Sequence, residues 1–249
     1  MFRVGKIAGL SSYYKTDTKM KSPKYLDLLL ALLVTVLIVS NIASAAKIIT
    51  LGPFTYDAGT LLFPLSYIFG DVLTEVYGYR PARRVIWIGF VMIAIMSGII
   101  LLVGALPGET EWSRTVGQEA YDKIFSLTPR IVLGSLLGYW SGSFANSIVM
   151  TRLKTRTHGR MLWLRTIAST ILGEGFDTAV FCLVAFLGAL PNELVWSIIV
   201  SNYIFKVGVE VIFTPLTYLI VNTLKRAEGI DAYDDGVDLN PFALRSNVK

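Results

Sequence analysis

A single cysteine, Cys182, and a single histidine, His158, stand in a chain of 249 residues. One thiol closes no intramolecular disulfide, and neither a CxxC pair nor a Cys/His zinc site can be assembled. Metal chemistry would have to rest on carboxylates, and Asp71 with Glu75 do not form the aspartate cluster beside a Gly-rich turn that a metal-dependent phosphotransferase uses. No GxxxxGK[ST] run exists, so the chain does not hydrolyse ATP itself, and HExxH is absent as well. No Ser/His pair lies in an apolar block, and neither acidic pair has an aspartyl-protease context, so an intramembrane enzyme is the less favoured reading. Charge is scarce too, at 16% against about 25% in soluble domains. No repeat of about 20–50 residues and no low-complexity segment is visible. No metal site and no cofactor are expected.

What the chain has in excess is apolar sequence, 53% of residues, gathered in blocks nearly free of charge. A transmembrane helix needs about 20 predominantly apolar residues. Six stretches qualify: 26–48, 59–77, 85–106, 131–150, 162–190 and 194–224. Backbone groups in lipid must be satisfied internally, which favours helices, and the short alternating segments of a β-barrel are missing. The expected fold class is therefore an all-α integral membrane protein, a bundle of six transmembrane helices. The first stretch ends in Ala43-Ser44-Ala45-Ala46, which resembles a signal-peptidase site, but it exceeds an h-region of about 7–15 residues and five spans follow. It reads as a retained helix.

Lysine and arginine near the span ends set orientation. Residues 1–24 carry Arg3, Lys6, Lys15, Lys19, Lys21 and Lys24; later links on the same side carry Arg80, Arg83 and Arg84, then Arg152, Lys154, Arg156 and Arg160; the end carries Lys225, Arg226, Arg245 and Lys249. The opposite loops hold few. Both termini are expected in the cytoplasm, dividing the chain into a basic segment 1–24, a transport domain 25–224 and an acidic tail 225–249. The net charge of +5 follows from this asymmetry. The basic residues are scattered and lack interleaved aromatics, so nucleic acid is not an expected partner; the lipid bilayer is. Glu228, Asp231, Asp234, Asp235 and Asp238 read as a solvated tail, and 115–127 as an amphipathic surface stretch.

The informative residues are the polar ones inside the spans, each costing about 2.5–3.5 kcal/mol at mid-membrane unless it faces protein or water. Span two has Tyr67, Asp71 and Glu75 on one helical stripe; Glu75 is also placed to pair with Arg83 or Arg84. Span five has Arg165, Ser169, Glu174 and Asp177, the last two sharing a face. Span six has Asn202, Lys206, Glu210 and Thr214 at successive i, i+4 positions, where Lys206 and Glu210 either neutralise each other along the helix or face a wet interior. Asn41 ends span one. Span four carries Gly134, Gly138 and Gly142, a ladder for tight packing within the chain or between two copies in a homodimer, followed by Ser143, Asn146 and Ser147. Polar groups repeated on so many helices suit a cavity that admits a polar solute.

Several of these runs are also family signatures. Asn41-Ile42-Ala43-Ser44-Ala45-Ala46-Lys47, the stretch Phe63-Pro64-Leu65-Ser66-Tyr67-Ile68-Phe69-Gly70-Asp71-Val72-Leu73-Thr74-Glu75-Val76-Tyr77-Gly78, Ser143-Phe144-Ala145-Asn146-Ser147, Leu164-Arg165-Thr166-Ile167-Ala168-Ser169-Thr170, and Lys225-Arg226-Ala227-Glu228-Gly229-Ile230-Asp231 occur in the order expected of the vitamin-uptake-transporter-like family of queuosine precursor transporters, which the chain resembles. The resemblance implies a six-helix protein of the bacterial inner (plasma) membrane. It would import a 7-deazaguanine base such as 7-cyano-7-deazaguanine or 7-aminomethyl-7-deazaguanine, without a dedicated ATPase. The alternative is a vitamin-binding subunit of an energy-coupling-factor importer. For a deazaguanine, Asp177 or Glu174 would accept from the amino and imino donors, and Asn41, Asn146 and Lys206 would donate. Tyr67, Phe176 or Tyr203 would stack. Asp71, Glu75 and Arg165 would form a network on the cytoplasmic side, with Ser169 and Glu210 completing the polar interior.

Overall fold

The computed structural model describes residues 23–51, 54–125, 129–188, 191–234 and 237–243. Nearly all of the basic segment 1–24 lies outside them, as do Asp235, Arg245 and Lys249. The elements are α1 (Leu26–Ala46), β1 (Ile48–Leu51), β2 (Phe54–Asp57), a 3-10 turn (Ala58–Leu61), α2 (Phe63–Tyr77), α3 (Tyr79–Gly104), α4 (Thr110–Thr115), α5 (Gly117–Phe125), α6 (Pro129–Arg156), α7 (Leu162–Phe186) and α8 (Asn192–Glu228). The fold is all-α, as the apolar blocks imply, with one short hairpin between α1 and α2. The first apolar stretch stops being helical at Ala46, and Ile48–Leu51 pairs antiparallel with Phe54–Asp57. The β-branched run Ile48-Ile49-Thr50 favours extended backbone there.

Among the described residues four helical segments are long and apolar enough to cross a membrane, Leu26–Ala43, Tyr79–Gly104, Leu162–Ala185 and Ile198–Glu228. Among the other two expected spans, α2 has 15 residues, about 22 Å at 1.5 Å per residue. The 28 residues of α6 are diluted by glycine, serine and asparagine. These two carry much of the polar interior.

α6 packs most extensively on α7, and α7 on α8; α2 lies against α1, α6 and α8. The core joining α1, α2 and α3 is built from Leu33, Leu37, Val72, Val76, Val85 and Ile93. Cys182 is buried with Val195 and Ile199 between α7 and α8. α2 and α3 meet at Gly78, whose φ of +88° is a left-handed conformation that a side chain strains.

The glycine ladder is used within the chain. A Cβ on Gly134 would lie 3.1 Å from the Phe181 carbonyl oxygen of α7, and one on Gly138 2.9 Å from that of Asp177. On Gly142 it would meet Tyr67 Oη at 2.5 Å, Asp177 Cβ at 2.7 Å and the Gly173 carbonyl oxygen at 2.8 Å. The ladder is therefore a seam between α6 and α7, not a surface for a second copy. Gly142→Ala is expected to destabilise the protein by about 1–3 kcal/mol through overpacking. Gly98→Ala meets nothing within 4 Å and should melt like the parent in the same thermal unfolding series.

The acidic tail is not free in solvent. Glu228 accepts from Tyr77 Oη at 2.7 Å and from the backbone N–H groups of Lys24 and Tyr25 at 2.9 and 2.8 Å. Ala232 N–H donates to the Val76 carbonyl at 3.1 Å, and Tyr79 N–H to Asp234 at 2.7 Å. Arg83 donates to the carbonyls of Asp238 and Asn240, and Trp87 Nε1 to that of Pro241 at 3.0 Å. The solvated-tail reading fails for Glu228 and Asp234, which find partners on α2 and α3, far away in sequence; Asp238 is exposed, and Asp235 lies outside the described residues. The expected amphipathic stretch forms α5, which Tyr121 anchors by donating from its hydroxyl to the Ile100 carbonyl at 2.8 Å.

Candidate functional site

Two buried polar clusters lie along the bundle. The first joins α7 and α8. Lys206 Nζ sits 2.6 Å from Asp177 Oδ2 and 3.0 Å from Glu174 Oε2, and the Lys206 side chain is 10% exposed. Asp177 and Glu174, three residues apart, reach one cation from one face. The ammonium also lies 5.0 Å from the centroid of the Phe63 ring, a cation–π contact from the start of α2. Lys206 thus pairs across helices, and the intrahelical pairing with Glu210 does not occur. Glu210 is 1% exposed, and neither carboxyl oxygen has a hydrogen-bond partner among the described residues.

Asp71 connects α2 to α6. Its Oδ1 accepts from Asn146 Nδ2 at 2.6 Å, while Oδ2 has no partner among the described residues. Thr74 Oγ1 and Ser147 Oγ are 3.1 Å apart one turn farther along. Tyr67 is buried with its hydroxyl unpartnered among the described residues, and Asp177, Glu174 and Asp71 are its electrostatic neighbours. Glycine at 142 and 173 makes room for this ring between α6 and α7. A cavity of about 20 Å³ opens beside Ser66, Tyr67, Gly70, Tyr139, Ser143 and Asn146. That is the space of roughly one water, so the bundle is closed around these groups.

The second cluster is an ion cage. Glu75 Oε1 lies 2.7 Å from Arg165 Nη2, 2.7 Å from Lys225 Nζ and 3.4 Å from Lys154 Nζ. Asp231 Oδ1 holds the same lysines, Lys154 at 2.6 Å and Lys225 at 3.0 Å. Burial alone would push the Asp231 carboxyl up, but the two ammonium groups outweigh it and hold the carboxyl below the ordinary aspartate range. Lys154 also donates to the Glu75 carbonyl, and Arg165 to Thr157 Oγ1 and the Arg160 carbonyl. The cage ties α2, α6, α7, α8 and the tail together at one end of the bundle.

Of the residues expected at the site, Tyr67, Asp71, Asn146, Glu174, Asp177, Lys206 and Glu210 converge on the interior between α2, α6, α7 and α8. Of the expected Asp71, Glu75 and Arg165 network, Glu75 and Arg165 pair, and Asp71 turns to Asn146 instead. Arg83 binds tail carbonyls and leaves Glu75 to other cations. Asn41 donates to the Leu37 carbonyl of its own helix at 2.8 Å, and Ser169, whose hydroxyl also neighbours Asp71, donates to that of Thr166 at 3.0 Å. Phe176 is 54% exposed and points away from the interior, so it is not a stacking residue. Tyr203 donates to the Ile171 carbonyl at 3.1 Å on the outer side of the same helix pair. Phe63, Lys154, Lys225 and Asp231 are additions. By charge alone the two lysines count among the residues that orient the chain, although Lys154 is only 4% exposed.

These features stand within a chain whose sequence has clear relatives. The family described as "Putative vitamin uptake transporter" matches residues 57–220. A "Probable queuosine precursor transporter" of Bacillus subtilis (strain 168) is 32% identical over 177 residues, 69% of this chain and 74% of the relative. The chain belongs to this transporter family. A "Queuosine precursor transporter" of Escherichia coli (strain K12) is 27% identical over 173 residues, covering 67% and 73% of the two chains. A "Probable queuosine precursor transporter" of Haemophilus influenzae (strain ATCC 51907 / DSM 11121 / KW20 / Rd) is 26% identical over 172 residues, covering 68% and 69%. No solved structure matches the chain. Membership makes it a multi-pass bacterial membrane protein and a transporter rather than an enzyme. The family match spans α2, α3, α6, α7 and most of α8, which hold Asp71, Glu75, Asn146, Arg165, Glu174, Asp177, Lys206 and Glu210.

Proposed function

We propose that the protein imports a 7-deazaguanine queuosine precursor, the cyano or aminomethyl base, across the bacterial inner membrane. In this reading six helices cross the bilayer, with α2 and α6 shielded from lipid by the other four, and both termini lie in the cytoplasm. The ion cage then sits at the cytoplasmic end and the Lys206 cluster deeper in the bundle. The observation that carries the reading is the convergence of Asp177, Glu174, Lys206, Asp71, Asn146 and Tyr67 on one buried place in a chain whose relatives bear the queuosine precursor name.

The chemistry suits a guanine edge. Adjacent N–H donors on the six-membered ring can be accepted together by one carboxylate, Asp177 or Glu174. The ring carbonyl accepts from Lys206 or from the Asn146 amide. Tyr67 offers a face or a hydroxyl, and Phe63 an aromatic wall beside the ammonium. Opening the bundle to admit the base would let it replace the ion pairs that now hold α7 to α8.

The test is uptake in a strain unable to synthesise the precursor base, read as queuosine in its tRNA after external base is supplied. Asp177→Asn should reduce uptake by about tenfold or more, as expected when one charged hydrogen bond to ligand is lost. Wild-type filling of the tRNA by Asp177→Asn would remove the proposed site. Binding of a vitamin but no deazaguanine, with co-purification of an ATPase pair, would replace this reading with the energy-coupling-factor one.

A further inference from the structure

The interior holds more negative charge than it has cations to balance. α8 packs on α7 and α2; Glu174 of α7 and Asp71 of α2 are the electrostatic neighbours of Glu210, and the other polar and charged groups of the interior come from the same helices and α6. α8 contributes Lys206, and Lys225 farther along. α7 contributes Glu174, Asp177 and Arg165. α2 contributes Asp71 and Glu75, and α6, behind α2, contributes Asn146 and Lys154. Every cation in this set already has partners. Lys206 is held by Asp177 and Glu174, and Arg165, Lys225 and Lys154 by Glu75 and Asp231. Among the described residues no cation pairs with Asp71 or Glu210. These two carboxyl groups are electrostatic neighbours, 0% and 1% exposed, and Asp71 Oδ2 and both Glu210 oxygens have no hydrogen-bond partner among the described residues. The buried Tyr67 hydroxyl also has no hydrogen-bond partner among the described residues, and its electrostatic neighbours are Asp177, Glu174 and, more weakly, Asp71. Two adjacent ionised carboxylates without a cation are not sustained at such burial; such groups take up a proton.

We propose that Asp71 and Glu210 form a proton-binding pair and that the transporter carries one proton inward with each substrate molecule. A proton from outside water joins a carboxyl oxygen of the pair, the bundle closes with the pair neutralised, and inward opening hydrates the pair and releases the proton to the cytoplasm. Pro215 lies between Glu210 and the Lys225 cage residue and lacks the N–H that would complete the helix ladder, which gives α8 a place to bend. The inference rests on the import reading, and the experiment below separates the two.

Purified protein is placed in liposomes with labelled 7-aminomethyl-7-deazaguanine outside and the membrane potential clamped. An inward proton gradient should concentrate the base about tenfold per pH unit, the ratio fixed by one coupled proton. In Glu210→Gln the ratio of accumulation with and without the gradient should fall to about one, whatever transport remains; Glu210→Asp, which keeps an ionisable group, should hold it above one. Asp71→Asn provides a second variant with the same expectation. Base that equilibrates without responding to the gradient, or that responds to sodium instead, would overturn the coupling and leave import standing. A wild-type ratio in both Glu210→Gln and Asp71→Asn would remove this pair as the proton site. No entry of base under any gradient would overturn import, and the coupling with it.

Discussion

Glu75→Gln is expected to be among the most destabilising single substitutions in the chain. Its Oε1 accepts charge from Arg165, Lys225 and Lys154, and the Glu75 and Arg165 side chains are 0% and 1% exposed. Removing the carboxylate leaves Arg165 without its carboxylate partner and the two lysines with Asp231, whose side chain is 45% exposed and which among the described residues pairs with those lysines alone. Breaking a buried ion pair from one side costs about 3–5 kcal/mol, because the surviving charge stays desolvated. For a chain of this size that corresponds to a fall of roughly 6–20 °C in Tm. Asp231→Asn removes a partner that water can partly replace and should cost less. Thermal unfolding in detergent compares the two. If Glu75→Gln melts as Asp231→Asn does, the cage is a solvated surface cluster and the buried reading of Arg165 falls.

The cage also shows where sequence patterns stop informing. Helical spacing correctly placed Asp71 and Glu75 on one face of α2, yet one turn of height sends them to different partners, Asn146 and the cations. Spacing within a helix carries no information about depth against its neighbours. The same limit applies to Lys206 and Glu210. Their i, i+4 separation permits a pair, but Asp177 and Glu174 offer two carboxylates across the α7–α8 seam, and the lysine turns to those. Lys154 and Lys225 carry the same charge as the residues that orient the chain, so a count of charges merges them with topology. The tail illustrates non-local pairing: Glu228 and Asp231 read as polar and acidic until α2, α6 and α8 bring Tyr77, Lys154 and Lys225 beside them. Phe176 directly precedes Asp177, and adjacent helical residues do not share a face, so a ring beside an inward carboxylate points outward. What was legible, the long apolar blocks and the inward polar stripes, is what physical periodicity alone encodes.

Lys206→Met should abolish transport and weaken the fold, and the two effects can be separated. Lys206 is the cation that balances Asp177 and Glu174, at 2.6 and 3.0 Å. Methionine preserves the packing of the stem while leaving Asp177 and Glu174 beside Glu210 with no positive charge among them. By the cost of stranding a buried charge, about 3–5 kcal/mol, the variant should be markedly less stable. Adding Asp177→Asn removes one stranded charge and should recover part of that loss, as contacting residues do in a double-mutant cycle. Transport should not recover, because the proposed ligand edge needs both a carboxylate to accept its N–H donors and a cation to meet its carbonyl. Thermal unfolding and precursor uptake, measured on both single variants and the double variant, give the cycle. Stability that returns together with uptake would make the Lys206–Asp177 pair a structural clasp. Stability that returns without uptake would place the pair in contact with the transported base.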